Sequence, residues 1–281
     1  MQSSRSVGFT LIELSIVLVI IGLITGGILV GQELIHAATI RAQITQIEKY
    51  NAAVNAFRGK YGYLPGDIPE PIAGQYGFFL RAGGFGNGDG DGYVSGVSES
   101  ILIPQQSTFT LGGENVLFWT DLTASGLISG GFNDSTDALV NVSTDAQYAA
   151  EMPRANIGNG NYVYVNGNYF NATDTWVMGN GFQLIRIIAI GNPSYATGMV
   201  ALNPGLTPLD SYNIDKKIDD GYPMTGSVYV MQPDSSGFSI AGEQITAANL
   251  CANAGTPMTY NTGTTGVSNV ANCSLRFKAT W

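Results

Sequence analysis

The sequence predicts an α+β fold, with one long N-terminal α-helix, transmembrane and then amphipathic, packed on an antiparallel β-sheet head rich in loops. Three observations carry this expectation. An apolar run from Phe9 to Val30 continues without a proline into a one-sided hydrophobic stripe that reaches Phe57. There are 37 glycines, while charged residues make up only 12% of the chain, a composition that favours turns and strands over long surface helices. Beyond the stripe, short runs of β-branched and aromatic residues lie between clusters of Gly, Asn and Asp, as half-buried strands and their turns require.

The first element is the helix. Residues Met1 to Gly8 are polar and carry one positive charge, Arg5. The apolar run that follows is long enough to cross a bilayer, and longer than the roughly 7–15-residue core of a secretory signal. It is therefore expected to stay in the mature protein, with Arg5 favouring a cytoplasmic N-terminus. One acid, Glu13, interrupts the run among Leu11, Ile12, Leu14 and Ile16. An acid at mid-bilayer costs about 2.5–3.5 kcal/mol, and less near an end, so Glu13 calls for a partner. A free amine at Phe9, created by cleavage after Gly8, would serve if neighbouring helices packed in axial stagger. Snorkelling of Glu13 to the headgroups is the alternative. Gly22, Gly26, Gly27 and Gly31 form overlapping small-xxx-small pairs that let helices approach closely. Past the bilayer, Ile40, Ile44, Ile47, Val54 and Phe57 recur on one face, with Arg41, Gln43, Gln46 and Lys49 between them. Gly59 supplies a stop and Pro65-Gly66 a turn. One helix from Phe9 to Arg58 would be about 75 Å long.

The run Gly8-Phe9-Thr10-Leu11-Ile12-Glu13-Leu14, followed by apolar residues, resembles the cleavage and methylation motif of the type IV pilin and type II secretion pseudopilin families. Lys60-Tyr61-Gly62-Tyr63-Leu64-Pro65-Gly66-Asp67 is similar to the segment after the long helix in many such subunits. The resemblance covers about the first 67 residues. It implies a pilin-like fold, cutting after Gly8 by a prepilin peptidase, N-methylation of Phe9, and an assembly role for Glu13. The chain departs from many type IV pilins in lacking a helix-bending proline. Three parts follow: a leader (1–8), the helix (9–59, with 9–30 as membrane span or filament core and 31–59 amphipathic), and a head (60–281). As implied partners, the chain would meet copies of itself or mixed pilins, the peptidase, and an inner-membrane assembly platform. It would begin as a single-pass bacterial inner-membrane precursor and end in a periplasmic or surface filament. Three roles stay open at this level: a pilus subunit, a pseudopilin acting as a periplasmic piston, and a minor pilin or tip adhesin.

In the head, Tyr162–Val165, Leu184–Ile190, Ser227–Met231 and Ser274–Lys278 read as strands. Glu114–Ser125 reads as a helix ended by Gly126, and a second helix opens at Thr207 with Pro208 in its first turn and closes before Gly221. Cys251 and Cys273 suit a terminal clamp worth about 3 kcal/mol if bridged in an oxidising compartment; two unpaired buried thiols are the other reading.

After Lys60 there are seven basic and eighteen acidic residues. Such an acidic head repels a phosphate backbone, so general nucleic-acid binding is not expected. The single histidine, His36, lies outside the head, which excludes Ser-His-Asp and Cys-His catalysis and His-based zinc sites there. Catalysis is not expected, although a carboxylate pair such as Asp89 and Asp91 keeps a membrane-anchored hydrolase as a remote rival. Gly86-Asn87-Gly88-Asp89-Gly90-Asp91-Gly92-Tyr93 alternates oxygen ligands with glycine. Asn87, Asp89, Asp91 and the Tyr93 carbonyl would be the ligands of a calcium loop, but Ser98 stands where a bidentate Glu belongs and Glu99 comes one place late. An Asx-Gly turn needs the same residues, so both readings stay open. Asp215, Asp219 and Asp220, interleaved with Lys216 and Lys217, read as a solvated face.

Overall fold

The computed structural model describes residues 10–81, 88–96, 108–132, 145–167, 180–187, 199–234, 237–240, 251–253, 257–263 and 271–281. Helix α1 spans Leu11–Tyr61, 51 residues. It runs through Gly59, the expected stop, and ends at Gly62, which takes the left-handed conformation (φ 82°) and donates its N–H to Arg58 O at 2.9 Å. Only a glycine adopts that C-cap geometry without a Cβ penalty. Gly59 sits on the exposed face of α1, where an interior glycine costs about 1 kcal/mol relative to alanine and does not by itself end a helix.

The two halves of α1 differ as the sequence pattern anticipates. Large apolar side chains from Leu11 to Ile35 are exposed, Leu11 at 89%. Ile40, Ile47, Ala53, Val54 and Phe57 are buried against the head. Gln43 and Gln46, polar positions beside the stripe, are buried too. They form a clasp with a segment far along the chain. Ile157 N donates to Gln43 Oε1 at 3.0 Å, Asn156 N donates to Gln46 Oε1 at 2.9 Å, and Gln46 Nε2 donates to Arg154 O at 2.8 Å. Sequence reading assigned these amides to the polar side because it sees spacing and not the backbone groups that come to meet them.

The head contains α2 (Ile72–Gln75), β1 (Thr108–Thr110), α3 (Glu114–Ala124), α4 (Asp145–Glu151), β2 (Asn161–Asn166), β3 (Gly181–Ile187), β4 (Met199–Asn203), α5 (Pro208–Ile218), β5 (Val228–Asp234), β6 (Gly237–Ile240), β7 (Ala252–Asn253), β8 (Thr259–Tyr260) and β9 (Ser274–Lys278). Seven of the strands form one sheet in the order β1-β4-β3-β9-β5-β6, with β2 also on β3, and β7 pairs with β8 apart from it. Every strand pairing among the described residues is antiparallel. Strand β3 is the organiser. All of β2 pairs with it, from Asn161 opposite Arg186 to Asn166 opposite Gly181, while its start pairs with β9 and its end with β4.

Where α1, α3 and the sheet meet, Tyr50, Phe118, Trp119, Phe182 and Trp281 pack together, with Tyr50 and Trp119 edge-on at 4.9 Å between ring centroids. Trp281 Nε1 also donates to Asn51 Oδ1 at 2.9 Å, tying the end of the chain to the helix. Cys251 and Cys273 are bridged, with Cα atoms 5.1 Å apart, and both are fully buried. The bridge fastens the β7–β8 hairpin to the residue preceding β9.

Candidate functional site

Two places collect the residues singled out by sequence: the start of α1 and the loop that covers the start of α3. At the first, Thr10 caps the helix. Its Oγ1 accepts from Glu13 N at 3.3 Å, and Glu13 Oε2 accepts from Thr10 N at 2.8 Å and from Thr10 Oγ1 at 2.7 Å. This is a complete capping box, in which two otherwise unsatisfied helix-end N–H groups find partners. In the single chain the Glu13 carboxylate is thus held within its own helix. Gly8 and Phe9 lie outside the described residues, so the structure does not place the processing bond. The helix is long and apolar enough to cross a membrane, and its most apolar window is entirely exposed.

At the second place the glycine pattern shapes the backbone. Gly88, Gly90 and Gly92 all have positive φ, and the turns they allow aim successive N–H groups inward. Gly90 N donates to Asp67 Oδ1 at 2.8 Å and Gly92 N to Asp67 Oδ2 at 3.0 Å. Glu114 Oε1 accepts from Gly88 N at 2.8 Å and Asp89 N at 3.4 Å; its Oε2 accepts from Ser95 N at 2.7 Å and Ser95 Oγ at 3.0 Å. Asp67 and Glu114 are both buried. Asp67, Asp89 and Glu114 bring carboxylate oxygens within 4.8 Å of one another.

Of the four residues expected to ligate calcium, only Asp89 belongs to this cluster. Asp91 Oδ1 accepts from Tyr93 N at 2.7 Å and Asp89 Oδ1 from Asp91 N at 3.1 Å, which are Asx-type turns. Asn87 lies outside the described residues. The sequence reading missed Asp67 and Glu114 because they come from other segments; the available signal was an acid in the first turn of a helix, where sequence alone suggests only a dipole partner.

The donor count bears on what the cluster can hold. An ionised carboxylate offers about four lone-pair sites, and Glu114 accepts four hydrogen bonds from the protein itself. Glu114 therefore has nothing left for a cation, and a calcium ion here would have to displace the loop's own amides. Glu114 thus fits a loop latch better than a calcium ligand.

Electrostatics set the latch under tension. Burial, reinforced by the neighbouring Asp91 and Asp89, pushes the Asp67 carboxyl up to about 7 against the two amides that favour its charge. Burial, with Asp67 adding to it, pushes Glu114 up to about 8. Next to them, Asp121 on α3 accepts from Gly66 N at 2.7 Å and is ion-paired with Arg81, both side chains being buried. Burial raises Asp121 to about 6, opposed by the Arg81 charge. Gly66 itself has φ 84°, and a Cβ there would run into Glu114 O, so the turn after α1 can close on α3 only at a glycine.

The second acidic cluster is the expected solvated face only in part: Asp220, Lys216 and Lys217 are exposed, but Asp215 is not. Asp215 is fully buried, accepting from Tyr260 Oη at 2.6 Å and from Gly221 N at 3.3 Å, and burial raises it to about 6. Asp219 caps the Ser227 N–H, and Asp220 accepts from Tyr222 N at 2.8 Å. These carboxylates fold the 219–227 turn back onto α5 and β8. His36, used above only to exclude catalysis, joins Asp210 of α5 at 2.9 Å and so anchors the head where the exposed half of α1 ends.

No family model, curated protein or solved structure matches this chain.

Proposed function

We propose that this chain is a type IV pilin-like subunit, a membrane-held precursor that is trimmed after Gly8 and polymerises through α1, with the head forming the outer surface of the filament. One observation carries the reading: the first half of α1 exposes a long, predominantly apolar surface with a carboxylate in its first turn, while the second half is built into the head. An apolar surface that long does not persist in water. A bilayer covers it before assembly, and the same helix from other copies covers it afterwards. Glu13 exchanges its Thr10 partners for the Phe9 amine of a neighbouring subunit during that transfer, so its charge is never left alone in an apolar medium. The Gly8-Phe9 junction and the Glu13 spacing favour this reading over a plain membrane anchor. The head serves as surface, and the chain carries no catalytic role.

Intact-mass spectrometry with N-terminal sequencing, on protein taken from its native membrane, tests the proposal. The expected mature chain begins at N-methylated Phe9. A chain that keeps residues 1–8 in cells with an active prepilin peptidase would make α1 an anchor and end the filament reading.

A further inference from the structure

The head has four arginines, and three are accounted for. Arg81 is buried against Asp121. Arg154 makes a two-pronged contact with Asp145, with Nη1 to Oδ1 at 2.8 Å. Arg276 is buried in the central strand β9. Arg186, near the end of β3, is exposed, and no carboxylate among the described residues is ion-paired with it. In a head with this excess of acids, an exposed arginine with no carboxylate partner among the described residues is the notable feature.

Arg186 lines an open cavity of about 640 Å³ between α4, the 158–160 turn, β3 and the start of α5. The walls are fixed from below by Asn161, a buried residue opposite Arg186 in the β2–β3 register. Its Nδ2 donates to Gly158 O at 2.9 Å and to Gly205 O at 3.1 Å, tying together two rims of the cavity. Gly205 is there because nothing larger fits: a Cβ would overlap Asn161 Oδ1 and stand 2.9 Å from Arg186 Cβ. On the α4 side, Asp145 is neutralised by Arg154 and also receives the Tyr162 hydroxyl, so it adds little charge of its own. The remaining wall is uncharged and mixed, with the polar groups of Asn159 and Thr207 set beside the Tyr148 and Tyr162 rings and Ala271. Asn159 holds a left-handed conformation (φ 55°) that asparagine tolerates better than most residues.

We propose that this cavity binds a carboxylated sugar, with the Arg186 guanidinium on the carboxylate and the Asn159 amide on the hydroxyls. The planar guanidinium fork matches a carboxylate at two points. The volume falls within the roughly 300–1,000 Å³ typical of small-ligand sites and far exceeds what a simple anion needs, given about 30 Å³ for a water molecule. Amide and hydroxyl groups around one charge suit a polyhydroxylated ligand better than an apolar one. The inference stands apart from the filament proposal, because the cavity lies wholly within one head.

The test is saturation-transfer NMR on the full chain in detergent micelles, with galacturonate and N-acetylneuraminate as probes and galactose and acetate as controls. Transfer to at least one acidic sugar and to neither control is expected. Arg186→Gln should weaken binding by about tenfold or more, the loss of one charge-assisted contact, with an unchanged melting temperature. Asn159→Gly, which keeps the backbone conformation, should weaken it as well. Absence of transfer to either acidic sugar, equal transfer to galactose, displacement of the sugar by equimolar acetate, or full binding by Arg186→Gln would each overturn the proposal.

Discussion

Glu13 has one structural role in the single chain and a second in the filament proposal, and a single substitution can separate them. Its carboxylate caps the helix through Thr10, and the filament proposal asks its charge to meet an amine on another subunit. Glu13→Gln keeps an oxygen acceptor for Thr10 and removes the charge. It should insert and be cleaved normally, yet enter filaments about tenfold less efficiently or worse, the scale of a lost charge-assisted contact. Immunoblots of sheared filaments against membranes measure this, and normal incorporation would remove the pairing role. Asp121 poses a different question, because both it and Arg81 are buried. Replacing Asp121 with Ala leaves a guanidinium inside the head without its counter-charge, which costs about 3–5 kcal/mol. Chemical denaturation should register that loss in full, whereas breaking an exposed pair such as Arg154–Asp145 should leave the midpoint almost unchanged.

At the scale of elements, the clasp between α1 and the 154–157 segment decides how firmly the helix holds the head. Ala at both Gln43 and Gln46 removes the acceptors of the Ile157 and Asn156 amides. Hydrogen exchange at those two amides should accelerate, while Tyr164 and Gln183, paired in the β2–β3 ladder, stay protected; uniform acceleration would mean that the clasp is not a local unit. This element also shows how far sequence reaches. The apolar stripe of α1 was legible because its period reports burial directly, and strands β2, β5 and β9 because runs of β-branched and aromatic residues mark strands. Helices α3 and α5 were legible too, the second from its Thr207-Pro208 start. The short elements α2, α4, β1, β4, β6, β7 and β8 were not, since helices of four to seven residues and strands of two to five exist through their partners and carry too little period of their own. The loop around Asp67 and Glu114 was half legible. Its alternating glycines marked a tight turn, but the carboxylates that the turn encloses come from about twenty residues to either side, and no local pattern joins them.

For the whole head, the buried acids determine how stability depends on pH. Asp67 and Glu114 release their protons near 3.8 and 4.5 as free groups, but near about 7 and about 8 in the fold. Asp121 and Asp215 shift the same way, each to about 6. Between those limits the folded chain holds more protons than the unfolded one, so stability falls as pH rises. The contribution is fully present below about pH 4 and is lost by about pH 8. Asp145, whose carboxyl is lowered chiefly by its contact with Arg154, works in the opposite sense, but only below its ordinary value of 3.8. In buffer containing a chelator, the melting temperature of the chain should therefore decline steadily from pH 5 to pH 8.5, and Glu114→Gln, which cannot titrate, should flatten the upper part of that decline. Calcium tests the same site from the other side. With the acceptor sites of Glu114 already filled by Gly88, Asp89 and Ser95, excess calcium should leave the decline unchanged. A calcium-dependent rise at pH 8 that disappears in Asp67→Asn would show instead that a cation displaces those amides, and the loop would then be a metal site rather than a latch.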